Sequence, residues 1–261
     1  MRRSTRTKVV RLGLYVILIA AIVLAAVAAD WHKISTAFFQ VDIARDQFPD
    51  IVKIAARNTL IYTAVSFAAG VTLGLILAMM RLSPVAPYRW LATIYIEIFR
   101  GLPALLTIFA TAFVLPIAFG VSVPDYPVGA GILGLTVVAA AYMAETIRAG
   151  IQGVPKGQVE AARSLGMSST RTMISIVLPQ AFRLIIPPLT NEFVLLIKDT
   201  SLIYIAGSTL TSKDLTLFGR GAAQSTANAT PLVVTGLLYL AITIPLTQLV
   251  AWLERRQARA R

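Results

Sequence analysis

Six long apolar segments alternate with short polar segments along the 261 residues. Each is at least about 17 residues long, which is enough for a helix to cross a bilayer. The segments lie near residues 12–29, 59–80, 91–119, 129–145, 184–206 and 231–252. The pattern predicts an all-α, polytopic membrane bundle of about six transmembrane helices. An even number of crossings puts both termini on the same side of the membrane.

The first segment has a second interpretation. Basic residues precede it, and Ala26-Val27-Ala28 near its end is typical of the cleavage site of a signal peptide. Its apolar run exceeds the 7 to 15 residues of a signal peptide, which favours a retained helix. Cleavage would leave five crossings. After it, residues 30–56 form an external segment in which Phe38, Phe39, Val41 and Ile43 are expected to lie along the membrane surface.

Basic residues near the apolar segments predict the orientation, because positively charged loops stay in the cytoplasm. One side carries sixteen Lys and Arg residues and the other carries six. The sixteen are Arg2, Arg3, Arg6, Lys8, Arg11, Arg81, Arg89, Arg148, Lys156, Arg163, Arg171, Arg183, Arg255, Arg256, Arg259 and Arg261. The six are Lys33, Arg45, Lys53, Arg57, Lys213 and Arg220. Both termini and the loop over residues 146–183 are therefore predicted to be cytoplasmic.

Composition supports one integral membrane unit. The chain is 57% hydrophobic and 14% charged, with a mean hydropathy of +0.75. We divide it into an N-terminal part with the first helix and an external segment (1–58), a membrane domain (59–252) and a basic cytoplasmic tail (253–261). The net charge of +12 is distributed among segments that flank the membrane. This distribution indicates contact with membrane lipid and argues against nucleic acid as a partner.

The loop between the fourth and fifth segments has the features of a docking element. Glu160, Ala161 and Ala162 favour a helix, and Gly166 can adopt the left-handed conformation that ends one. Ser168 or Ser169 is suited to cap a following helix, which Pro179 would interrupt or kink. A short polar helix between two apolar segments predicts contact with a soluble partner.

The same loop resembles the cytoplasmic coupling motif of ABC importer permeases. The matching residues are Glu160-Ala161-Ala162, Gly166, Ile176 and Leu178-Pro179. Flanking residues resemble the branch that imports polar amino acids, with histidine-, glutamine- and glutamate-type permeases. They are Glu97 to Pro103, Tyr142, Ala144-Glu145, Arg148, Gly150, Pro155, Gly157, Gln180, Arg183, Pro187-Pro188, Asn191 to Phe193 and Lys198 to Leu202. The resemblance covers roughly residues 88–202.

This resemblance implies a multi-pass permease subunit in a bacterial plasma (inner) membrane. It implies four kinds of contact: ATPase subunits, a second permease that is identical or similar, an external solute-binding protein and lipid. The residues implied to couple the permease to its ATPase are Glu160, Ala161, Ala162, Ser164, Leu165 and Gly166. The sequence has no Gly-x-x-x-x-Gly-Lys-[Ser/Thr] phosphate loop, so ATP is expected on the partner subunit. With no cysteine and one histidine, no catalytic, cofactor or metal site is expected in this chain.

Charged residues at membrane depth are candidates for a translocation path, because they are costly in lipid and usually face a cavity. The candidates are Glu97, Arg100, Asn191, Glu192 and Lys198. Glu97 and Arg100 are three residues apart on a predicted helix, which favours neutralisation of one by the other. Glu192 and Lys198 are six apart and poorly placed to pair. For Asn191 and Glu192, a substrate path and a buried structural network remain equally open.

Prolines and glycines add local expectations. Pro187-Pro188, near the start of the fifth segment, predicts either a broken helix beside a cavity or only the start of the helix. Gly70 and Gly74 predict a close contact with another helix, either of the same chain or of another subunit. Gly129, Gly131 and Gly134 fit a dinucleotide-binding pattern by letter, but they open an apolar segment and are interpreted as packing or flexible positions.

Two other functions use the same membrane architecture. An ion-coupled secondary amino acid carrier would use Glu97, Glu192 and Lys198 for ion coupling without ATP. A non-transporting membrane scaffold would carry no substrate. The motif at Glu160 and its flanks favour the ABC importer.

Overall fold

The computed structural model describes residues 3–121, 123–209 and 211–258, which form thirteen α-helices and no strand. The helices are α1 (Arg3–Ala28), α2 (Trp31–Phe38), α3 (Val41–Asp46), α4 (Arg57–Leu82), α5 (Ala86–Gly101), α6 (Ala104–Phe109), α7 (Leu115–Phe119), α8 (Val128–Gln152), α9 (Lys156–Ser164), α10 (Ser169–Thr172), α11 (Leu178–Asp199), α12 (Leu215–Thr226) and α13 (Thr230–Ala258). Three π-helical turns (Ile51–Ala56, Ala110–Val114 and Met173–Val177) and a 3₁₀ segment (Thr200–Ala206) continue neighbouring helices. Arg2, Arg259 and Arg261, which count toward the predicted orientation, lie outside the described residues. The predicted all-α fold is confirmed.

Within the described residues, five helical spans are long and apolar enough to cross a membrane, and a bent pair makes a sixth candidate. The five are Arg11–Ala28, Ile51–Leu82, Val128–Gln152, Ser169–Ala206 and Thr230–Arg256. The sixth joins α5 to the Ala104–Phe119 segment at an angle of 109°. These spans agree with the six apolar segments of the sequence. The third is bent, and the sequence predicts a tilted, kinked or partly interfacial span there from its length and from Glu97, Arg100, Pro103 and Pro116 within it.

The break in the third span occurs at Leu102 and Pro103. Leu102 has extended backbone angles (φ −88°, ψ 140°), as the residue before a proline favours, because the proline ring disfavours the helical conformation there. Pro103 then caps α6. Consequently, the polypeptide turns sharply between the two helices, by 109°.

The fifth span is longer and more regular than the sequence predicts. Before α11 begins, the amide of Leu178 donates to the carbonyl of Met173, which closes a wider π-helical turn. Pro179 is the second residue of α11 and directly follows this turn. Pro187 and Pro188 lie in the middle of α11, which continues through them. Both expectations for this proline pair, a broken helix and a helix start, are therefore wrong. Neither proline has an amide hydrogen, so α11 lacks two backbone donors at this point.

Helix α8 lies at the centre of the bundle. One apolar cluster joins its N-terminal half, at Leu135 and Ala139, to α4, α6 and the 3₁₀ segment. A second joins its C-terminal half, at Ala144 and Ile147, to α4, α5 and α11. The other helices are thus positioned by their contacts with α8.

Small residues permit this dense packing. A Cβ atom on Gly74 would lie 3.0 Å from the Cβ of Met143 and 3.1 Å from the main-chain oxygen of Ala140. A Cβ on Gly134 would lie 2.7 Å from the Cα of Ile108. The predicted packing role of these glycines is supported, but the close contact of Gly74 joins α4 to α8 of the same chain. It does not form the subunit interface that the sequence left open.

The segment after α1 is attached to the beginning of α13. Asp30 caps α2 by accepting from the amide of Lys33 at 3.0 Å. The Asn228 side chain donates to the carbonyl of Thr36 at 2.8 Å, and the amide of Gln40 donates to the Thr230 hydroxyl at 3.1 Å. Phe38, Phe39 and Val41 remain exposed beside these contacts. The segment therefore forms a strap from α1 to the beginning of α13.

Candidate functional site

Helix α9 is the short polar helix that the Glu160 motif predicts. Its nine residues end at Ser164, and a left-handed glycine, Gly166, follows the C-cap residue Leu165 with φ of +81°. The amide of Gly166 donates to the carbonyl of Arg163 at 3.0 Å, and the amide of Met167 donates to that of Ala162 at 3.1 Å. This pair of bonds is a Schellman motif, in which glycine is favoured because it adopts positive φ without a Cβ clash.

The motif presents one face outward and buries the other. Glu160, Ala161, Ser164 and Gly166 are exposed, and Leu165 has 85% of its surface exposed. In contrast, Ala162 is only 5% exposed. A large apolar side chain held on a polar loop is suited to a pocket on another protein. Ala162 packs within this chain, so it is not available for the docking contact that the resemblance implies for it.

Contacts with the fifth span hold α9 in place. The Gln180 amide group donates to the side-chain oxygen of Gln158 on α9 and to the carbonyl of Ile176. Val159 packs against the second apolar cluster, which joins the C-terminal half of α8 to α4, α5 and α11. Ser168 caps the next helix by accepting from the amide of Arg171 at 3.3 Å, as the sequence predicts for Ser168 or Ser169. The helix is consequently fixed to the membrane bundle while its outer face stays free of contacts within the described part of this chain.

A cavity of about 320 Å³ lies within the bundle. Its walls come from the bend between α5 and α6, from the middle of α8 and from the C-terminal half of α11. The lining residues are Leu102, Pro103, Ala104, Leu135, Val138, Ala139, Tyr142, Glu192, Leu195, Leu196 and Asp199. The volume falls within the range of about 300 to 1,000 Å³ typical of small-molecule sites. Two carboxyl groups in otherwise mostly apolar walls make it suited to a small ligand with a cationic group.

Helical spacing explains which candidates reach the cavity. Glu192 and Asp199 are seven residues apart, which puts them on one face of α11 two turns apart, and both line the cavity. Asn191 and Lys198 precede them by one residue each, lie on a neighbouring face and are exposed. Among the described residues, Glu192 and Lys198 form no ion pair.

Arg100 lies next to the cavity through Tyr142. Its guanidinium is 5.6 Å from the centre of the Tyr142 ring, a cation–π arrangement. The Tyr142 hydroxyl donates to the carbonyl of Arg100 at 3.4 Å. These contacts join the last turn of α5 to the wall that α8 contributes.

Glu97 does not pair with Arg100 as the sequence predicts. Its carboxylate lies 3.5 Å from the guanidinium of Arg81 on α4, and the described residues contain no ion pair between Glu97 and Arg100. The three-residue spacing allows the predicted pair, but Tyr142 attracts the Arg100 guanidinium and Arg81 is available to Glu97. Glu97 is therefore separated from the residues that line the cavity.

Sequence reasoning missed two polar residues of the cavity wall, Tyr142 and Asp199. Both residues belong to the pattern that resembles the permease family, but neither was among the candidates for the translocation path. Helical periodicity contains a signal for both, because Leu135, Val138 and Tyr142 follow one face of α8 as Glu192 and Asp199 follow one face of α11. Without the bend at Pro103, nothing in the sequence indicates that these two faces meet.

Comparison with protein families gives one match that covers most of the chain. Residues 70–259 match a family described as a binding-protein-dependent transport system inner membrane component. The chain is similar to a probable glutamine ABC transporter permease of Bacillus subtilis, with 38% identity over 200 residues, or 76% of this chain and 89% of the relative. It is also similar to an arginine transport system permease of the same organism, with 34% identity over 76% of this chain and 88% of the relative.

Solved structures give the same result. A crystal structure of an amino acid ABC transporter with histidines has a TM-score of 0.73 and 33% identity, covering 81% of this chain and 95% of that one. An inward-facing methionine ABC transporter has a TM-score of 0.67 at 20% identity, covering 81% of this chain and 98% of that one, and it supports the fold alone.

Proposed function

Because this chain belongs to the family of binding-protein-dependent transport system inner membrane components, it is the permease of an ABC importer, and we propose that α9 couples it to its ATPase. The substrate is a polar amino acid, as the named substrates of its relatives support. The observation that carries the coupling role is the exposed outer face of α9, with Leu165 at its tip and the Gly166 turn behind it.

The coupling role requires a rigid helix end. The Schellman turn at Gly166 and the bond from Gln180 to Gln158 hold α9 to the fifth span, so that a force on α9 is passed to the membrane bundle. Leu165 fills an apolar pocket on the ATPase, and the Glu160 carboxylate accepts a charge-assisted hydrogen bond from it. Ala161 and Ser164 allow close approach because they are small. Ala162 contributes from inside, where it packs α9 against its own chain.

The cavity bordered by Glu192 and Asp199 is the translocation path. Leu135 and Tyr142 flank the middle of the 25-residue span α8, so the cavity lies near the middle of the bilayer. The two carboxyl groups are hydrogen-bond acceptors for the ammonium group of an amino acid. Arg100, beside Tyr142, supplies the opposite charge for the substrate carboxylate. Glu97, Asn191 and Lys198 lie outside the lining and act, if at all, by electrostatics.

The family supports an assembly with ATPase and solute-binding partners, and we propose its composition as follows. Two ATPase subunits bind and hydrolyse ATP, a second permease that is identical or similar completes the membrane part, and an external solute-binding protein delivers the substrate. Both termini are cytoplasmic in a bacterial inner membrane, in agreement with the distribution of Lys and Arg. The proposal assigns ATP to the partner subunit, because this sequence has no Gly-x-x-x-x-Gly-Lys-[Ser/Thr] phosphate loop. The secondary-carrier alternative is not favoured, because the relatives named above are ABC transporter permeases.

Reconstitution of the purified complex tests the proposal as a whole. The complex is placed in lipid vesicles with its binding protein, and ATP hydrolysis is measured as single amino acids are added. Stimulation by one group of polar amino acids is the expected result. Recovery of the chain without an ATPase, together with uptake that a membrane gradient drives, would favour the carrier.

Gly166→Val tests the role of α9. Valine in a left-handed conformation costs on the order of 1 to 3 kcal/mol, which distorts the turn and lowers substrate-stimulated ATP hydrolysis by about tenfold. Gly120→Val is the matched control, because Gly120 also has positive φ (64°), has open space around its Cα and lies across the membrane from α9. Equal loss of stimulation in the two variants would count against a specific role for the α9 turn.

Glu160→Arg tests the contact itself. The reversed charge is expected to weaken attachment of the ATPase, measured by the amount that co-purifies with the permease. Glu254→Arg is the control, since Glu254 is also exposed and lies near the cytoplasmic end of α13. Unchanged co-purification with Glu160→Arg would refute the predicted contact.

A further inference from the structure

Four charged side chains form a connected group on α4, α5 and α8, which we call the arginine–glutamate cluster. Arg81 reaches Glu145 with one terminal nitrogen at 2.8 Å and Glu97 with the other at 3.5 Å. Arg148 approaches the same Glu145 carboxylate through Nε, at 3.0 Å, and through a terminal nitrogen. The side chains of Arg81, Glu145 and Arg148 are only 22 to 24% exposed. The coupling helix and the cavity account for none of these contacts.

The cluster is connected through neighbouring residues to the coupling helix on one side and to the cavity on the other. Arg148 also donates to the side chain of Gln152, the last residue of α8, and α9 begins four residues later at Lys156. On the other side, Glu97 is followed within α5 by the bend at Leu102 and Pro103 that lines the cavity. Arg81 is the residue that joins these two sides.

The packing around the cluster determines what can move. Helices α4 and α8 approach closely along Gly74, where even a methyl group would meet the main chain of Ala140 and Ala144. Such a contact leaves little room for one helix to slide along the other. Helix α5 packs against the same pair through Ala92 and Ile96, which are side chains without polar groups to fix their direction. Two hydrogen bonds also join α5 to α8, from the Tyr95 hydroxyl to the carbonyl of Val137 at 2.9 Å and from the Tyr142 hydroxyl to the carbonyl of Arg100 at 3.4 Å. The fork of Arg81 differs from them because it ties α5 to both α4 and α8 through charged groups.

We propose that Arg81 is a positioning residue that passes movement of α8 to α5, and thereby from the coupling helix to the bend beside the cavity. The proposal rests on the proposed function, since it requires that ATP-driven force enter through α9. Its physical basis is that a planar guanidinium with two separate terminal nitrogens can hold two carboxylates at once in a fixed geometry. A lysine at this position offers a single ammonium group, which keeps the charge but not the two-pronged link.

The Arg81→Lys variant therefore keeps the positive charge at this position and removes the simultaneous contact with two carboxylates. The complex is reconstituted with its ATPase and binding protein, and substrate uptake and ATP hydrolysis are measured in the same vesicles. The amount of ATP hydrolysed per amino acid imported is expected to rise by about 2- to 30-fold. Arg89→Lys is the matched control, because Arg89 donates to the main-chain oxygens of Ser83 and Pro84 and approaches no carboxylate within 4.0 Å among the described residues. It should keep the ratio of the unmodified complex.

A double-mutant cycle with Glu97→Gln tests the link itself. Glu97 is 64% exposed, so its replacement leaves folding intact. If Arg81 transmits through Glu97, Glu97→Gln raises the ratio in the unmodified chain but changes it little in the Arg81→Lys background. Additive effects, or an unchanged ratio in both variants, would overturn the proposal. If the complex with Arg81→Lys does not assemble, the Glu97→Gln variant alone tests the link. An increase in the ATP hydrolysed per amino acid imported would then support the proposal, and an unchanged ratio would overturn it.

A reporter beside the cavity separates transmission from stability. The sequence contains no cysteine, so Leu102→Cys introduces a single thiol at the bend. The rate of its reaction with a maleimide is expected to change on addition of ATP, and this change should shrink in the Arg81→Lys background. A cluster that only stabilises the bundle would leave the ATP-dependent change intact. If the unmodified complex shows neither ATP hydrolysis nor uptake, the proposed function fails, whereas normal activity with unaltered variants rejects only the role of Arg81.

Discussion

Helices α1 and α8 are both apolar enough to cross a membrane, but they have opposite surroundings in the fold. The 18-residue span Arg11–Ala28 has a mean hydropathy of 2.5 and is 0% buried, whereas the most apolar 18-residue window of Val128–Gln152 has a mean hydropathy of 1.6 and is 67% buried. The more apolar helix is thus the one without neighbours. In lipid, apolar side chains gain little by packing against each other, because the lipid tails are equally apolar. Hydropathy predicts which segments enter the membrane, and close approach of backbones determines which of them pack.

The largest expected effect comes from filling the space at Gly134 in α8. Gly134→Leu forces a side chain into the main chain of α6, since even its Cβ would lie 2.7 Å from the Cα of Ile108. We expect destabilisation by about 3 kcal/mol or more and a loss of assembled complex, measured by thermal unfolding of the purified complex.

Gly13→Leu is the matched control in α1. No atom lies within 4 Å of a Cβ built at Gly13, so the same change of side chain should leave the unfolding temperature unaltered. Equal destabilisation by the two variants would mean that α1 packs against something as closely as α8 does. That result would remove the contrast between the two helices.

The contrast also explains how much of the fold the sequence predicts. Periods of high hydropathy identify six spans, and Pro103 identifies the irregular one, because both are local properties of the chain. The course of α11 through Pro187 and Pro188 was not predicted, since it depends on the π-helical turn at Met173–Val177 that shifts the helix start upstream. Packing partners also required the structure: Gly74 indicates a close contact but not the identity of the other helix.

In the candidate site, too, features set by local sequence were predicted, whereas features set by distant contacts were not. The turn at Gly166 and the cap at Ser168 follow from local chemistry, and both form as predicted. The role of Ala162 as an outward contact did not follow, because its burial depends on the fold around α9. The cavity depends on three elements that are distant in sequence, and for this reason Tyr142 and Asp199 were missed while Glu192 was found.

A smaller change distinguishes packing from helix propensity. Gly74→Ala adds one methyl group 3.0 to 3.1 Å from atoms of Met143, Ala140 and Ala144. Two of these three contacts are with the main chain of α8, which cannot move aside easily. We expect a net destabilisation by about 1 kcal/mol, because overpacking exceeds the gain in helix propensity.

In α1 the same substitution should have the opposite sign or no effect. Gly13→Ala gains helix propensity without meeting a neighbour. Thermal unfolding of the two variants side by side provides the measurement. A stabilising Gly74→Ala would indicate that α4 and α8 separate more easily than their contacts suggest.

A weaker effect is expected where the strap connects α1 to the bundle. Asn228→Ala removes the bond to the carbonyl of Thr36 and the bond that Asn228 accepts from the amide of Thr230, both at 2.8 Å. Each is worth about 1 kcal/mol, so the strap should loosen while the bundle stays folded. Faster proteolysis between α1 and α4, with an unchanged unfolding temperature, is the expected outcome. Gln224→Ala, at an exposed position on α12, is the control.

The smallest effect is expected from replacing α1 itself. Every described side chain between residues 11 and 28 is exposed, so no other described segment of the chain covers this helix and lipid can surround it. A repeat of leucine and alanine over these residues, with the basic start retained, preserves span length and orientation. Substrate uptake should then stay within about twofold of the unmodified complex, because no contact of the bundle is lost. A large loss of uptake, with the replaced helix still inserted, would mean that another subunit contacts particular side chains of α1, and the bare helix would then be a surface for that subunit.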